Sequence, residues 1–497
     1  MTDPHRGHTP GLPLPLAVLP IATMLLGFIA GSLLLNPADS RHADANTALL
    51  VAVLFTAALV AGLVARHSGH TWEAIQAAAA KKLADVFPMI LILLAIGMLI
   101  GTWIFSGTIP YLVLWGLKLV SPEHLIVTAF LVTSVMSLAT GTSWGSAGTI
   151  GVALVAMAVA MDGPVAATAG AVVSGAYFGD KMSPLSDMTN ICAIGAGSRL
   201  YEHVRHMLYT AIPSVAVALA VYTPAGVVLH DGAGPTIPDS ATTLLAEIDR
   251  IYTLNPAVLI PVAVVIAGIL FKVSPALTMA ASSVVAMALG VAMQGFTTEG
   301  ALVSALAGFD LSLLPHETNA DHSDNLATLV QRGGLLSMTP TLLLIIAAFL
   351  LAGAMDASGA LHAIVHAMLR RARATLGTVA ATMASGLLMI GLTSHGGVTA
   401  LVVGGLFQTA YRDQKLHPVN LSRSLEDSVT IVEPLLPWCV SAVFMATTLG
   451  VPTLEYLPWA TFCLTGPIFS LAYAALARRT NNLGIRTLEP GSPPSTS

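Results

Sequence analysis

The sequence predicts an all-α polytopic membrane protein, with roughly 12–14 transmembrane helices, an inverted internal repeat and helices broken at the bilayer midplane. Three observations carry that prediction. Only 9% of the 497 residues are charged and 55% are hydrophobic, where a soluble domain carries about 25% charged residues. The mean hydropathy is +0.79. Charge and proline nevertheless gather in two otherwise apolar regions, "GAYFGDKMSPLSDMTN" (175–190) and "NLSRSLEDSVTIVEPLLPW" (420–438).

A crossing helix needs about 20 apolar residues. The candidate spans are 12–35, 47–65, 86–105, 124–141, 146–161, 164–198, 206–228, 255–271, 274–293, 340–357, 375–393, 396–411, 418–450 and 455–477. The first is longer than the ~7–15 apolar residues of a secretion signal and has no clear small-x-small cleavage site. It reads as a transmembrane helix. Two shorter apolar pieces, 109–119 and 360–369, read as re-entrant or hairpin segments. The chain divides into N-terminal helices (1–85), a first repeat (86–200), connecting helices with long outer loops (201–338), a second repeat (339–477) and a tail (478–497). The tail is polar and rich in Pro and Ser, which predicts disorder.

Basic residues orient the ladder. Arg66, Lys81 and Lys82, the three arginines within 370–373, and Arg478 with Arg479 are placed on the cytoplasmic side of the inner membrane. The loops 229–254 and 294–336 fall outside and are acidic, and both termini are read as cytoplasmic. His316 and His322 read as exposed loop residues. His362 and His366 lie four apart, as zinc ligands on a helix can, but lack a third ligand and read as interfacial. Cys192, Cys439 and Cys463 form neither a metal spacing nor a disulfide framework. A net charge of −5 gives no reason to expect a nucleic-acid partner. No cofactor and no enzymatic activity are expected.

The two halves echo each other. "ILLAIGMLIGTWIFSGTIPYLVLWGLK" (92–118) resembles "LIIAAFLLAGAMDASGALHAIVHAMLR" (344–370), and "SLATGTSWGSAGTIGVAL" (137–154) resembles "LMIGLTSHGGVTALVVGG" (388–405). "FGDKMSP" then answers "LEDSVTIVEP". The predicted orientation inverts one copy relative to the other. Inverted repeats with interrupted helices mark secondary transporters, whose site lies between the repeats.

Broken backbone survives at membrane depth only when buried in protein or lining a watery cavity. A charge there costs from about 2.5 to above 10 kcal/mol, so such residues pair and usually act. The first break concentrates Asp180, Lys181 and Asp187 around Pro184, which denies the helix a donor. The second concentrates Arg423, Glu426, Asp427 and Glu433 around Pro434 and Pro437. Carboxylates, hydroxyls, the Asn190 amide and freed carbonyls can replace the water shell of a hard monovalent cation, and a desolvated carboxylate can take a proton instead. The bland reading is that these charges staple the two breaks together. Arg423 and Glu426, placed near the cytoplasmic surface, suit either reading. "GTSWGS" (141–146) matches the G-x-S-x-G hydrolase elbow, but that motif needs a preceding strand, and only helical runs flank it. It reads as a glycine-permitted helix break whose Thr142, Ser143 and Thr149 face the cavity. His395, in the second-half counterpart, reads as a cavity residue or as a packed core histidine. Asp356 reads as a helix terminus or a gate.

These stretches, with "TLGVPTLEYLPWATF", resemble the NhaC family of Na+/H+ antiporters across most of the chain. The resemblance implies exchange of Na+ for H+ by alternating access. It implies a first half-site of Asp180, Lys181, Ser183, Asp187, Thr189 and Asn190, with Glu426, Asp427 and Ser428 in the second. Thr142, Ser143 and His395 join them, and Asp180, Asp187 and Asp427 are the expected Na+ ligands. The sequence departs from the family's pattern at "LTSHGGVTALVVGG", where His395 and Gly396 stand, and at "SVTIVEPLLPWCVS", where Glu433 is added and Cys439 and Val440 replace an asparagine–threonine pair. The wider resemblance includes carriers of organic acids and amino acids, so a Na+- or H+-coupled carrier of a small carboxylate or amino acid is the alternative. The expected partners are the lipid bilayer, Na+ and H+, with a homodimer as the default assembly.

Overall fold

The computed structural model describes residues 12–35, 43–229, 239–271, 273–314, 322–369, 374–477 and 483–488. Helices dominate them, and an isolated antiparallel bridge joins Leu416 to Thr487. Among the described residues nine helices are long and apolar enough to cross a membrane, or up to twelve if each bent pair is one span. Large apolar side chains such as Leu26, Leu59, Val135, Ile212 and Leu277 point outward. They suit contact with lipid tails.

Several predicted spans change shape. The span expected over 164–198 is two helices, Val165–Met182 and Asp187–Ala196. The one expected over 418–450 bends by 45° between Pro418–Leu435 and Val440–Leu449. The pieces Thr453–Trp459 and Thr461–Leu476 meet at 58°. The two loops expected to lie outside are not open coil: they hold the helices Asp239–Ile251, Thr298–Leu306 and Asp324–Val330. His322, expected to be exposed, is half-buried with both ring nitrogens enclosed.

The tail also differs from its disordered expectation over 483–488. Leu488 N donates to Lys415 O at 2.8 Å and His417 N to Arg486 O at 2.9 Å. Asn420 clamps the Arg486 backbone, donating to its carbonyl at 2.6 Å and accepting from its amide at 3.0 Å. A polar strand docks here because buried polar groups on the protein need those backbone partners. Burial and the nearby Arg486 guanidinium hold His417 below its ordinary value, against the pull of Glu202. Of the orienting charges, Arg370, Arg371, Arg373, Arg478 and Arg479 lie outside the described residues, as do His316 and the side chains of His362 and His366.

Packing positions the breaks. Leu125–Thr140 lies tightly along Val165–Met182 because Gly175 and Gly179 face it. A Cβ on them would come within 2.4 Å of Phe130 O and Leu138 N respectively. The halves then interlock. Asp187–Ala196 packs on Gly396–Asp413, while Val152–Ala160 and the π-turn Ala147–Gly151 pack on Val440–Leu449. Trp144 and Phe444 stack across that second contact with centroids 4.1 Å apart. Asp356 ends the Thr339–Ala357 helix and pairs with Lys82 at 3.2 Å.

Candidate functional site

The first break holds Asp180 from two sides. Val165–Met182 ends at Ser183, which is extended (φ −83°, ψ 126°), and the next helix begins behind Ser186 as its N-cap. Breaking a helix frees carbonyls, and side chains here take them up. Thr189 Oγ1 donates to the carbonyls of Asp180 and Lys181 at 3.1 and 3.0 Å. Asn190 Nδ2 donates to Pro184 O and Ser186 O at 3.2 and 2.7 Å. On the other side Leu125–Thr140 stops at Gly141, which is left-handed at φ 69°, and Thr142 caps the following helix by accepting from Gly145 N at 3.2 Å. A Cβ at Gly141 would also meet Leu185 at 2.8 Å, so glycine is required twice over. That turn delivers Ser143 Oγ to Asp180 Oδ2 at 2.7 Å, while Ser186 Oγ reaches Oδ1 at 2.5 Å. Asp180 is 6% exposed.

The second break is a π-turn, Glu426–Thr430, running on from the helix Pro418–Leu425. Such turns appear often at functional sites. Asp427 Oδ1 accepts from Lys181 Nζ, a fully buried ion pair that ties the two breaks together. Thr210 Oγ1 accepts from the same ammonium at 3.1 Å, and the Phe462 ring lies 5.9 Å from it. Losing one partner of a buried pair typically costs about 3–5 kcal/mol, because the other charge is stranded. Asp427 Oδ2 and both Glu426 oxygens have no hydrogen-bond partner among the described residues, and His203 Nε2 stands 3.8 Å from Glu426. Arg423 is wholly buried, not superficial as expected, and donates to Gly484 O at 2.5 Å and meets His206 Nε2 at 3.1 Å.

His395 caps Gly396–Asp413, its Nδ1 accepting from Val398 N at 3.3 Å after Ser394 turns left-handed at φ 50°. The break therefore has the geometry of Gly141–Thr142, with histidine in the capping place. Its half-buried ring also meets Phe349 edge-on, with centroids 6.3 Å apart.

The structure thus gathers Asp180, Ser143 and Ser186 at one point and Lys181 with Asp427 at another. Thr142, Thr189, Asn190 and His395 shape the breaks, and Ser183 Oγ accepts from Leu185 N at 3.3 Å. Ser428 bonds back to Ser424 O at 2.6 Å. Asp187 is not brought in: it is exposed on the first turn of its helix. The three expected Na+ ligands do not share one point. Among the described residues, no group of three or more His, Cys, Asp or Glu is arranged to hold a metal ion. Ser143 Oγ donates to a carboxylate, while His395 caps a different helix, so the elbow motif is a helix break. Sequence reading missed Ser186, Thr210, His203 and His206. The two histidines lie three apart at the charged start of the Leu200–Val228 helix, on one face of it, and that spacing could have flagged them.

A helical membrane bundle whose broken segments face each other, with a buried carboxylate at one break and a buried ion pair between the two, is a secondary transporter. Residues 175–478 match the Na+/H+ antiporter family, and the chain belongs to that family. It is 44% identical over 423 residues to an uncharacterized Na+/H+ antiporter of Haemophilus influenzae, covering 85% of this chain and 90% of that one. It is 33% identical to the Na+/H+ antiporter NhaC of Bacillus subtilis, over 84% of this chain and 90% of that protein. The arginine/ornithine antiporter ArcD of Halobacterium salinarum is 31% identical over 91% of this chain and 90% of its own length. The NhaC resemblance read from the motifs is borne out.

Proposed function

We propose that this protein exchanges Na+ for H+ across the cell membrane by alternating access, with Asp180 as the exchanging group. One observation carries the reading: a buried carboxylate held by Ser143 and Ser186, one from each side of the first break. A carboxylate offers about four lone-pair positions, and each hydroxyl keeps lone pairs while it donates. Sodium entering beside Asp180 therefore finds carboxylate and hydroxyl oxygens already in place. Proton binding instead neutralises the carboxylate and removes the attraction for the cation. Lys181 and Asp427 hold each other, so of the two aspartates Asp180 is the one whose charge is free to exchange. The likeness of the two halves supports alternating access: both share a left-handed residue followed by a capping residue, and the helices after the breaks pack across the halves.

In proteoliposomes with an imposed pH gradient, Na+ addition should collapse the gradient, and K+ should not. A wild-type protein that moves no protons on Na+ addition overturns the reading. Exchange of a small organic ion is the second reading, favoured by the arginine/ornithine relative; a panel of amino acids and carboxylates in the same assay decides it. Cytoplasmic termini follow from the proposed orientation. A cysteine at exposed Asp310 should then label from outside intact cells, and one at exposed Lys415 only after permeabilisation.

A further inference from the structure

Glu433 is a buried carboxylate that the Asp180 exchange step does not use. It is 5% exposed, and its Oε1 has no hydrogen-bond partner among the described residues. Its Oε2 lies 3.0 Å from where a Cβ on Gly396 would sit. Gly396 is the first residue of its helix after the His395 cap, just as Ser143 is the first residue after the Thr142 cap. Each carboxylate therefore lies against the first residue of a capped helix. Asp180 meets a serine hydroxyl at its break, whereas Glu433 meets a glycine with no side chain to donate and keeps one oxygen unpaired among the described residues. A buried acid with one oxygen left without a hydrogen-bond partner at a helix break is placed to take up a small cation or a proton.

We infer that Glu433 is a second exchangeable acid of this transporter, so that sodium binding displaces a proton from Glu433 as well as from Asp180. This rests on the Na+/H+ exchange proposed above. The titratable groups that act on it are Asp180 and Tyr177 from the first half and Cys439 after the second break, the Ser441 hydroxyl is hydrogen-bonded to it, and His395 caps the helix that begins at Gly396. A proton held on Glu433 stays until a cation arrives to replace it. Each carboxyl then loses its proton to water as the cation binds between them, so two protons leave for one sodium and the site becomes one charge more negative.

The experiment is a proton count on the full-length protein in detergent. Sodium is titrated into weakly buffered solution, with proton release and sodium binding followed together. Glu433→Gln should release about one proton fewer per bound sodium than wild type, and Glu433→Asp should restore the count. A second measurement needs no variant. Dicyclohexylcarbodiimide attacks protonated buried carboxyls, so mass spectrometry of the wild-type protein should find Glu433 modified and sodium should protect it. An unchanged proton count in Glu433→Gln overturns the inference, as does a Glu433 that stays unmodified or unprotected should that variant not fold. Wild-type protein that exchanges no Na+ for H+ would instead remove the reading beneath it.

Discussion

The two breaks solve the same problem in different ways. At the first, the exposed carbonyls of Asp180, Lys181, Pro184 and Ser186 find nearby side chains in Thr189 and Asn190, and Ser143 and Ser186 take the Asp180 carboxylate. At the second, both oxygens of Glu426 and one oxygen each of Glu433 and Asp427 are buried without hydrogen-bond partners among the described residues. Buried polar atoms left unpaired cost about 1–3 kcal/mol each, so water or ions must complete the second break. The difference teaches that the first break is a preformed seat and the second is one that a bound species finishes. Lys181 joins them by crossing to Asp427.

The sharpest way to break this comparison is Asp180→Asn. The amide keeps the shape but holds no exchangeable proton and no charge. Loss of a buried charge contact costs about 2–5 kcal/mol, so Na+-driven proton movement in proteoliposomes should fall by about 100-fold or more, with an unchanged gel-filtration profile. Exchange at wild-type rates would make the first break a scaffold and shift the chemistry to the second.

A smaller effect tests the tie between the breaks. Asp427→Asn alone should lower thermal stability in detergent by about 3–5 kcal/mol, because Lys181 is left charged in an apolar interior. Replacing both partners together, Lys181→Met with Asp427→Leu, should regain most of that loss while transport stays impaired. If the double variant melts no higher than the single one, the pair is not what joins the halves.

Next comes the docked tail. Asn420→Ala removes both clamps on Arg486 and should cost about 1–3 kcal/mol, read as earlier proteolysis between residues 477 and 483. Unchanged proteolysis would mean that the Arg423–Gly484 bond and the backbone bonds of Lys415 and His417 hold the tail without Asn420. The smallest effect is at His395. His395→Gln should lose about 1 kcal/mol of capping and leave the proton count per sodium unchanged, whereas a shifted pH profile of exchange would place the imidazole among the exchanging groups.

Much of this was legible in the sequence. Low charge and long apolar runs dictate a helical membrane protein, because hydrocarbon tolerates no unpaired backbone. Asp180, Lys181, Pro184 and Pro434 marked both breaks by standing where a spanning helix has no use for them. Local periodicity could not say which charges meet. That Lys181 reaches Asp427, 246 residues away, that Asp187 faces outward while Ser186 faces Asp180, and that Glu433 lies against Gly396 were decided only by how the two halves interlock. The same packing docked a polar tail that composition alone marked as loose. Burial and pairing depend on neighbours distant in sequence, and composition constrains only the solvent each segment can enter.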